Sequence, residues 1–80
     1  MSIKELVYFN LYLQRLGYTP YMSQLMTFVI YNFCSRIKKD PNAINFFDVK
    51  AYLSRNFISD FEMESIKIFL IKYLGKQMEI

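Results

Sequence analysis

The stretch from Leu16 to Ser35 carries no charged residue, and it constrains this chain more than any other feature. Its length is close to the roughly 20 residues that a membrane-spanning helix needs. However, Gly17 and Pro20 interrupt its start, and the continuous apolar part runs only from Tyr21 to Cys34. At 1.5 Å per residue, that part is too short to cross a bilayer core of about 30 Å. We therefore expect a buried central helix here and no membrane partner.

Four start signals predict four helices. Ser2 with Glu5 and Ser59 with Glu62 have the spacing of capping boxes, in which a hydroxyl and a carboxylate each serve a backbone N–H. Thr19 before Pro20 and Asn45 before the third segment are also good N-caps. Gly17 and Gly75 are expected to end the first and fourth helices. The predicted helical segments are 2–17, 19–39, about 45–57 and 59–75.

Apolar residues recur at steps of three and four in each segment, and no stretch alternates with the period of a strand. The second segment is apolar on most sides, as expected for a helix in the middle of a bundle. The sequence thus predicts an all-α fold, a small four-helix bundle with a central apolar second helix, formed as one domain over residues 1–80. The expected core positions outside the second helix are Ile3, Leu6, Phe9, Leu13, Leu16, Phe46, Val49, Leu53, Phe57, Met63, Ile66, either Phe69 or Leu70, and either Tyr73 or Leu74.

The residues that most enzymes use are scarce. There is no histidine, and the chain has two glycines and one cysteine, Cys34. This composition lacks the commonest general base, the usual metal ligand and a glycine-rich phosphate loop. We expect no enzyme activity, no metal and no cofactor. Cys34 has two interpretations, a small buried hydrophobe or a reactive thiol, and an unpaired cysteine suits a reducing, cytoplasmic location.

The net charge of +3 is concentrated at the end of the second segment, where Arg36, Lys38 and Lys39 cluster. One interpretation is a solvated helix end, since the helix dipole favours positive charge there. The other is a surface that contacts the phosphates of nucleic acid, most plausibly duplex DNA. The candidate phosphate contacts are Arg36, Lys38, Lys39, Lys50 and Arg55.

Seven tyrosines and eight phenylalanines exceed what the interior of an 80-residue bundle normally holds. Some rings are therefore expected on the surface, where exposed aromatic area favours a protein partner or a second copy of the chain. The candidate interface residues are Tyr8, Tyr12, Tyr21, Tyr31, Phe47 and Tyr52.

A family resemblance points in another direction. The pattern that carries it consists of Tyr12-Leu13, Gly17, Tyr18, Thr19-Pro20 and Phe33, then Asp48-Val49 and Tyr52-Leu53, then Phe69 and Tyr73-Leu74. This order resembles the core-binding domain of tyrosine recombinases, the phage integrases and Xer-type enzymes. The resemblance implies a four-helix domain that clamps one face of a DNA duplex and touches neighbouring protomers. The family's catalytic residues have no counterpart in these 80 residues, so it implies no recombination chemistry.

Two hypotheses therefore stand at this point. In the first, the chain is a small helical interaction protein, such as a homodimer or a phage- or virus-encoded partner of a host protein, that acts through exposed aromatic residues. In the second, it is a DNA-binding module similar to a recombinase core-binding domain.

Overall fold

Each helix of the computed structural model begins at a capping residue that the sequence predicts. The model describes all 80 residues and contains four α-helices and no strand, which confirms the predicted fold class. A 3₁₀ turn precedes the third helix, and a π-helical segment continues the fourth. The bounds are α1 Ile3–Arg15, α2 Pro20–Ile37, the turn Pro41–Ala43, α3 Phe46–Arg55, α4 Asp60–Lys67 and the π-helical segment Ile68–Tyr73.

The capping interactions have the expected geometry. The Glu5 backbone N–H donates to Ser2 Oγ over 3.2 Å, and the carboxylate of Glu5 accepts from the Ser2 backbone in return. Ser59 with Glu62 and Asn45 with Asp48 form the same reciprocal pairs at the starts of α4 and α3. Such caps satisfy N–H groups that have no partner within the helix, and each typically contributes about 1 kcal/mol.

The helix ends use left-handed backbone conformations. Gly17 after α1 has φ +107°, and Gly75 after the π-helical segment has φ +71°. Both values lie where a Cβ atom is disfavoured, so glycine suits these positions. Lys38 ends α2 in the same region with φ 61°, although it carries a side chain. Its backbone N–H donates to the carbonyl oxygen of Cys34 and closes the last turn.

Helix α2 occupies the central place in the packing. It contacts α1 on one side and α4 on another, and the π-helical segment returns to α1. The core holds thirteen buried hydrophobic side chains. Those with almost no exposure include Phe9 and Leu13 of α1, Met26, Ile30 and Phe33 of α2, and Ile66, Phe69 and Leu70 near the end of the chain.

Aromatic contacts join the elements. The ring of Phe9 meets the edge of Phe69 at 5.0 Å and that of Tyr73 at 5.2 Å, and Tyr12 lies 5.0 Å from Tyr73. These contacts fasten α1 to the π-helical segment. Edge-to-face geometry places the positive edge of one ring against the negative face of another, which adds to the energy of burial.

Helix α3 departs from the predicted stripe. The structure buries Tyr52 against Phe33, with ring centroids 4.9 Å apart. Phe57, expected in the core, is fully exposed, and Phe46 is partly exposed. The reason is that α3 ends at Arg55 and Asn56 adopts an extended conformation, so Phe57 lies beyond the helix and no longer follows its periodicity. Ile3 in α1 and Leu16 directly after this helix are also exposed, although the apolar spacing predicts both in the core.

The π-helical segment is a second departure, since one continuous helix was expected. Ile68, Phe69 and Leu70 are all buried, although three consecutive residues of an α-helix cover about 200° of its circumference. The wider turn is closed by the Leu74 N–H, which donates to the carbonyl oxygen of Phe69 over 2.9 Å. Beyond it, the ammonium of Lys76 donates to the Asn42 carbonyl oxygen over 2.9 Å, which ties the chain end to the 3₁₀ turn.

Candidate interaction surface

One side of α2 is apolar and open to solvent. Tyr21, Phe28 and Tyr31 are 72%, 62% and 47% exposed, and Leu25 is also exposed. Their spacing of four, three and three residues places them on one side of the helix. The opposite side carries the core residues of α2. Apolar residues thus occur on both sides of α2, on the side that faces the core and on the side that faces water.

Helix α1 also carries an exposed apolar row. Ile3, Val7 and Leu11 recur every four residues and are all exposed. With Leu6, Asn10 and Thr27 they line a shallow groove of about 330 Å³ between α1 and α2. We call this depression the hairpin groove, because α1 and α2 form an αα-hairpin joined by a short loop. The hairpin face comprises Ile3, Val7, Leu11, Tyr21, Leu25, Phe28 and Tyr31.

The hairpin face carries no charge on its α2 side, since no charged residue lies between Arg15 and Arg36. Its polar neighbours, such as Asn10, Gln24 and Thr27, are neutral. Three rings with the exposures given above present roughly 350 Å², if each carries about 200 Å². The exposed aliphatic residues of α1 add further apolar area to that of the rings.

The six candidate interface residues do not form one surface. Tyr21 and Tyr31 lie on the hairpin face, whereas Tyr8 and Phe47 are exposed elsewhere, the latter on α3. Tyr12 is half-buried among the rings that join α1 to the π-helical segment. Tyr52 was wrongly assigned to the surface, because its ring packs on Phe33 in the core.

Three residues of the hairpin face are not predicted from the sequence pattern. Apolar composition predicts Phe28 in an enclosed helix, and Val7 and Leu11 lie outside the predicted core stripe of α1. A signal was present in α1, where Ile3, Val7 and Leu11 form a second apolar row beside the Phe9 and Leu13 row. Of the two rows, only the one with Phe9 and Leu13 faces the core.

The candidate phosphate contacts are brought together in part. Arg36 and Arg55 line one cleft of about 380 Å³, together with Tyr52, Asn56 and Asp48, and we call it the basic cleft. Arg36 donates to Asn56 Oδ1, which fixes its guanidinium beside the end of α3. Arginines can bind a phosphate through two parallel hydrogen bonds.

The other three cations lie outside the basic cleft or are paired. The ammonium of Lys39 forms a salt bridge with Asp48 at 3.0 Å. Hydrogen bonding from the Asn45 backbone N–H, and secondly from Lys39, lowers the pKa of Asp48. Lys50 lies about 140° around α3 from Arg55 and approaches the Phe46 ring at 6.0 Å. Lys38 is exposed at the end of α2.

Cys34 is buried in the core, and burial raises the pKa of its thiol to about 11. A protonated, inaccessible thiol is a poor nucleophile, so the structure agrees with the interpretation of Cys34 as a small hydrophobe. No group of three or more histidine, cysteine or acidic side chains is placed to hold a metal ion.

The fold and the surface define a small all-helical protein with one open apolar face. No protein-family model, no curated protein and no solved structure matches this chain. None of its helices combines the length and the apolarity that crossing a membrane would require.

Proposed function

We propose that this chain is a small interaction protein that self-associates through the hairpin face. The observation that supports this function is the set of exposed apolar side chains on α1 and α2, among them the largely exposed ring of Phe28. Leaving that area in water is unfavourable by about 25 cal/mol per Å², and an apolar contact removes this cost.

A second copy suits this surface better than a charged partner. The net charge of +3 makes two copies repel each other in general, but the hairpin face itself carries no charge on α2, so repulsion is weakest there. A two-fold contact also joins a surface to itself, which requires no complementary charges.

The available area is sufficient for a dimer. A stable interface buries about 800 Å² per partner, which is on the order of 15% of the 5456 Å² surface of this chain. The three exposed rings of α2 supply nearly half of that area, and the two exposed rows of α1 and α2 supply much of the remainder. Aromatic rings are also enriched at the centres of interfaces, where they contribute most of the binding energy.

The mass of the protein in solution tests this proposal. Sedimentation equilibrium over a wide concentration range is expected to show a monomer–dimer equilibrium for the wild type. Phe28→Glu places a charge at the centre of the hairpin face and is expected to give a monomer. Phe47→Glu is the matched control, because Phe47 is 77% exposed on α3 and lies outside the hairpin face. A wild-type protein that stays monomeric at millimolar concentration contradicts the proposal.

DNA binding is the second candidate function, and the basic cleft favours it. Arg36 and Arg55 come from different helices yet line one cleft, where both guanidinium groups could face a phosphate. Binding is expected to be weak and to fall steeply as salt rises, because each neutralised phosphate releases a counterion.

A salt-titrated assay with a fluorescent duplex tests this second function. Arg36→Glu with Arg55→Glu is expected to abolish binding. The matched control is Lys67→Glu with Lys72→Glu, which makes the same charge change at exposed positions outside the basic cleft. The candidate is rejected by the absence of wild-type binding at about 50 mM salt, or by an equal loss in both double variants.

A further inference from the structure

We propose that, in the dimer, the Phe28 ring of each copy inserts into the hairpin groove of the other copy. This inference rests on the proposed self-association and adds the mode of contact. The Phe28 ring is exposed and apolar, and the groove beside the preceding residue, Thr27, is open and mostly apolar. The ring therefore lacks an apolar cover, and the groove lacks an apolar occupant.

The hairpin groove has the size and chemistry to hold a phenyl ring. Its volume is about 330 Å³, and Ile3, Val7 and Leu11 supply most of its apolar wall. An enclosed apolar cavity of about 150 Å³ is large enough to bind benzene, so the volume of this open groove leaves room for a phenyl ring. No charged side chain lines it. An apolar ring therefore enters without removing a charge from water.

Phe28 does not fill the groove of its own chain. Thr27 lines the groove, and Phe28 is the next residue, about 100° further around α2. Its ring is accordingly 62% exposed and is absent from the groove lining. The groove of a second copy is not subject to this constraint, because its position relative to Phe28 depends on how the two copies pack.

Two-fold symmetry makes the contact reciprocal. If Phe28 of one copy contacts the groove of the other, the reverse contact forms by symmetry. One interface then covers two exposed rings and two grooves. Tyr21 and Tyr31 flank Phe28 on α2 and suit the rim, since a tyrosine can bury its ring edge while its hydroxyl stays hydrated.

Two variants separate this arrangement from other dimers. Phe28→Ala removes the ring and leaves the groove intact, whereas Val7→Trp fills the groove and leaves the ring intact. Each variant alone is expected to lose both contacts and to dimerise more weakly by roughly thirtyfold or more. Amide NMR spectra check that each variant folds. Leu11→Trp replaces Val7→Trp if the latter disturbs the fold, because Leu11 also lines the groove.

Mixing the two variants gives the decisive result. A mixed dimer has one intact ring facing one intact groove, so it recovers one of the two contacts. The equimolar mixture is therefore expected to form heterodimers that are tighter than either variant's homodimer, measured by sedimentation with one variant fluorescently labelled. If the rings instead stack on each other at the two-fold axis, Val7→Trp keeps its dimer and the mixture gains nothing, which overturns the inference. A monomeric wild type, in contrast, overturns the proposed function.

Discussion

Ser23 provides a sharp test of how the core of this protein is packed. Its side chain is completely buried in α2, and its Oγ has no hydrogen-bond partner. An unpaired buried hydroxyl costs about 1–3 kcal/mol, because it has lost its hydrogen bonds to water without replacement. Alanine removes this cost and has a helix propensity better by about 0.5 kcal/mol. The small void left by the oxygen lowers the gain in stability by a few tenths of a kcal/mol.

We therefore expect Ser23→Ala to raise the free energy of unfolding by about 1–3 kcal/mol. For a domain of this size, each kcal/mol corresponds to a rise in Tm of about 4–8 °C. Urea denaturation followed by circular dichroism measures the change, and an unaltered m-value shows that the comparison is valid.

Ser65→Ala is the matched control. Ser65 is equally buried, but its Oγ donates to the carbonyl oxygen of Phe61 over 2.9 Å. Removing a satisfied hydroxyl is expected to leave the stability unchanged or to lower it slightly. The reasoning fails if both variants shift the stability equally, or if Ser23→Ala destabilises the protein.

Three further outcomes follow from single side chains. Because burial raises the pKa of Cys34 to about 11, the folded state keeps a thiol proton that the unfolded state releases above about pH 9. The contribution of this thiol to the free energy of unfolding is complete below pH 9 and falls by about 2–3 kcal/mol between pH 9 and 11. Cys34→Ala is therefore expected to make the urea midpoint less dependent on pH over that range. Tyr52→Ala is expected to cost about 3 kcal/mol in urea denaturation, whereas Phe57→Ala changes little because Phe57 is fully exposed; equal costs would contradict the described packing of α3. Lys38→Gly is expected to stabilise by about 0.5–1 kcal/mol in the same assay, since φ 61° strains a residue with a Cβ, and a loss of stability would refute this.

The helix starts could be predicted from the sequence because capping is local. A capping side chain and its target N–H lie three residues apart, as Ser59 and Glu62 do, so no distant residue decides whether they meet. Gly17 and Gly75 are equally local signals, since the left-handed conformation follows from the missing Cβ.

The end of α3 could not be predicted in the same way. Apolar spacing fits both Phe57 and Tyr52, and the distinction depends on where the helix stops. Asn56 leaves the helical conformation while its amide donates to the Tyr52 carbonyl oxygen and accepts from Arg36. Arg36 is twenty residues away in the chain, so its proximity is a consequence of the fold and not a pattern that can be read from nearby residues.

The arrangement of the basic residues also could not be predicted from the sequence. Their clustering in sequence suggested one patch, but Lys39 pairs with Asp48 and Lys50 lies on another side of α3. The two cations that do share the basic cleft, Arg36 and Arg55, are far apart in the chain. The packing of α2 against α3 brings these two arginines to the same cleft.

Helix α2 shows why apolar composition alone does not separate a core from an interface. Phe28 and Phe33 are identical residues five positions apart, hence about 140° apart around the helix, and only Phe33 is buried. An 80-residue chain that is 54% hydrophobic, with thirteen such side chains in its core, carries more apolar residues than it can enclose. That excess is distributed over α1 and α2 as a second apolar row on each. A helix that is apolar nearly all round is thus consistent with two different neighbours, and in this fold the same chain supplies only one of them.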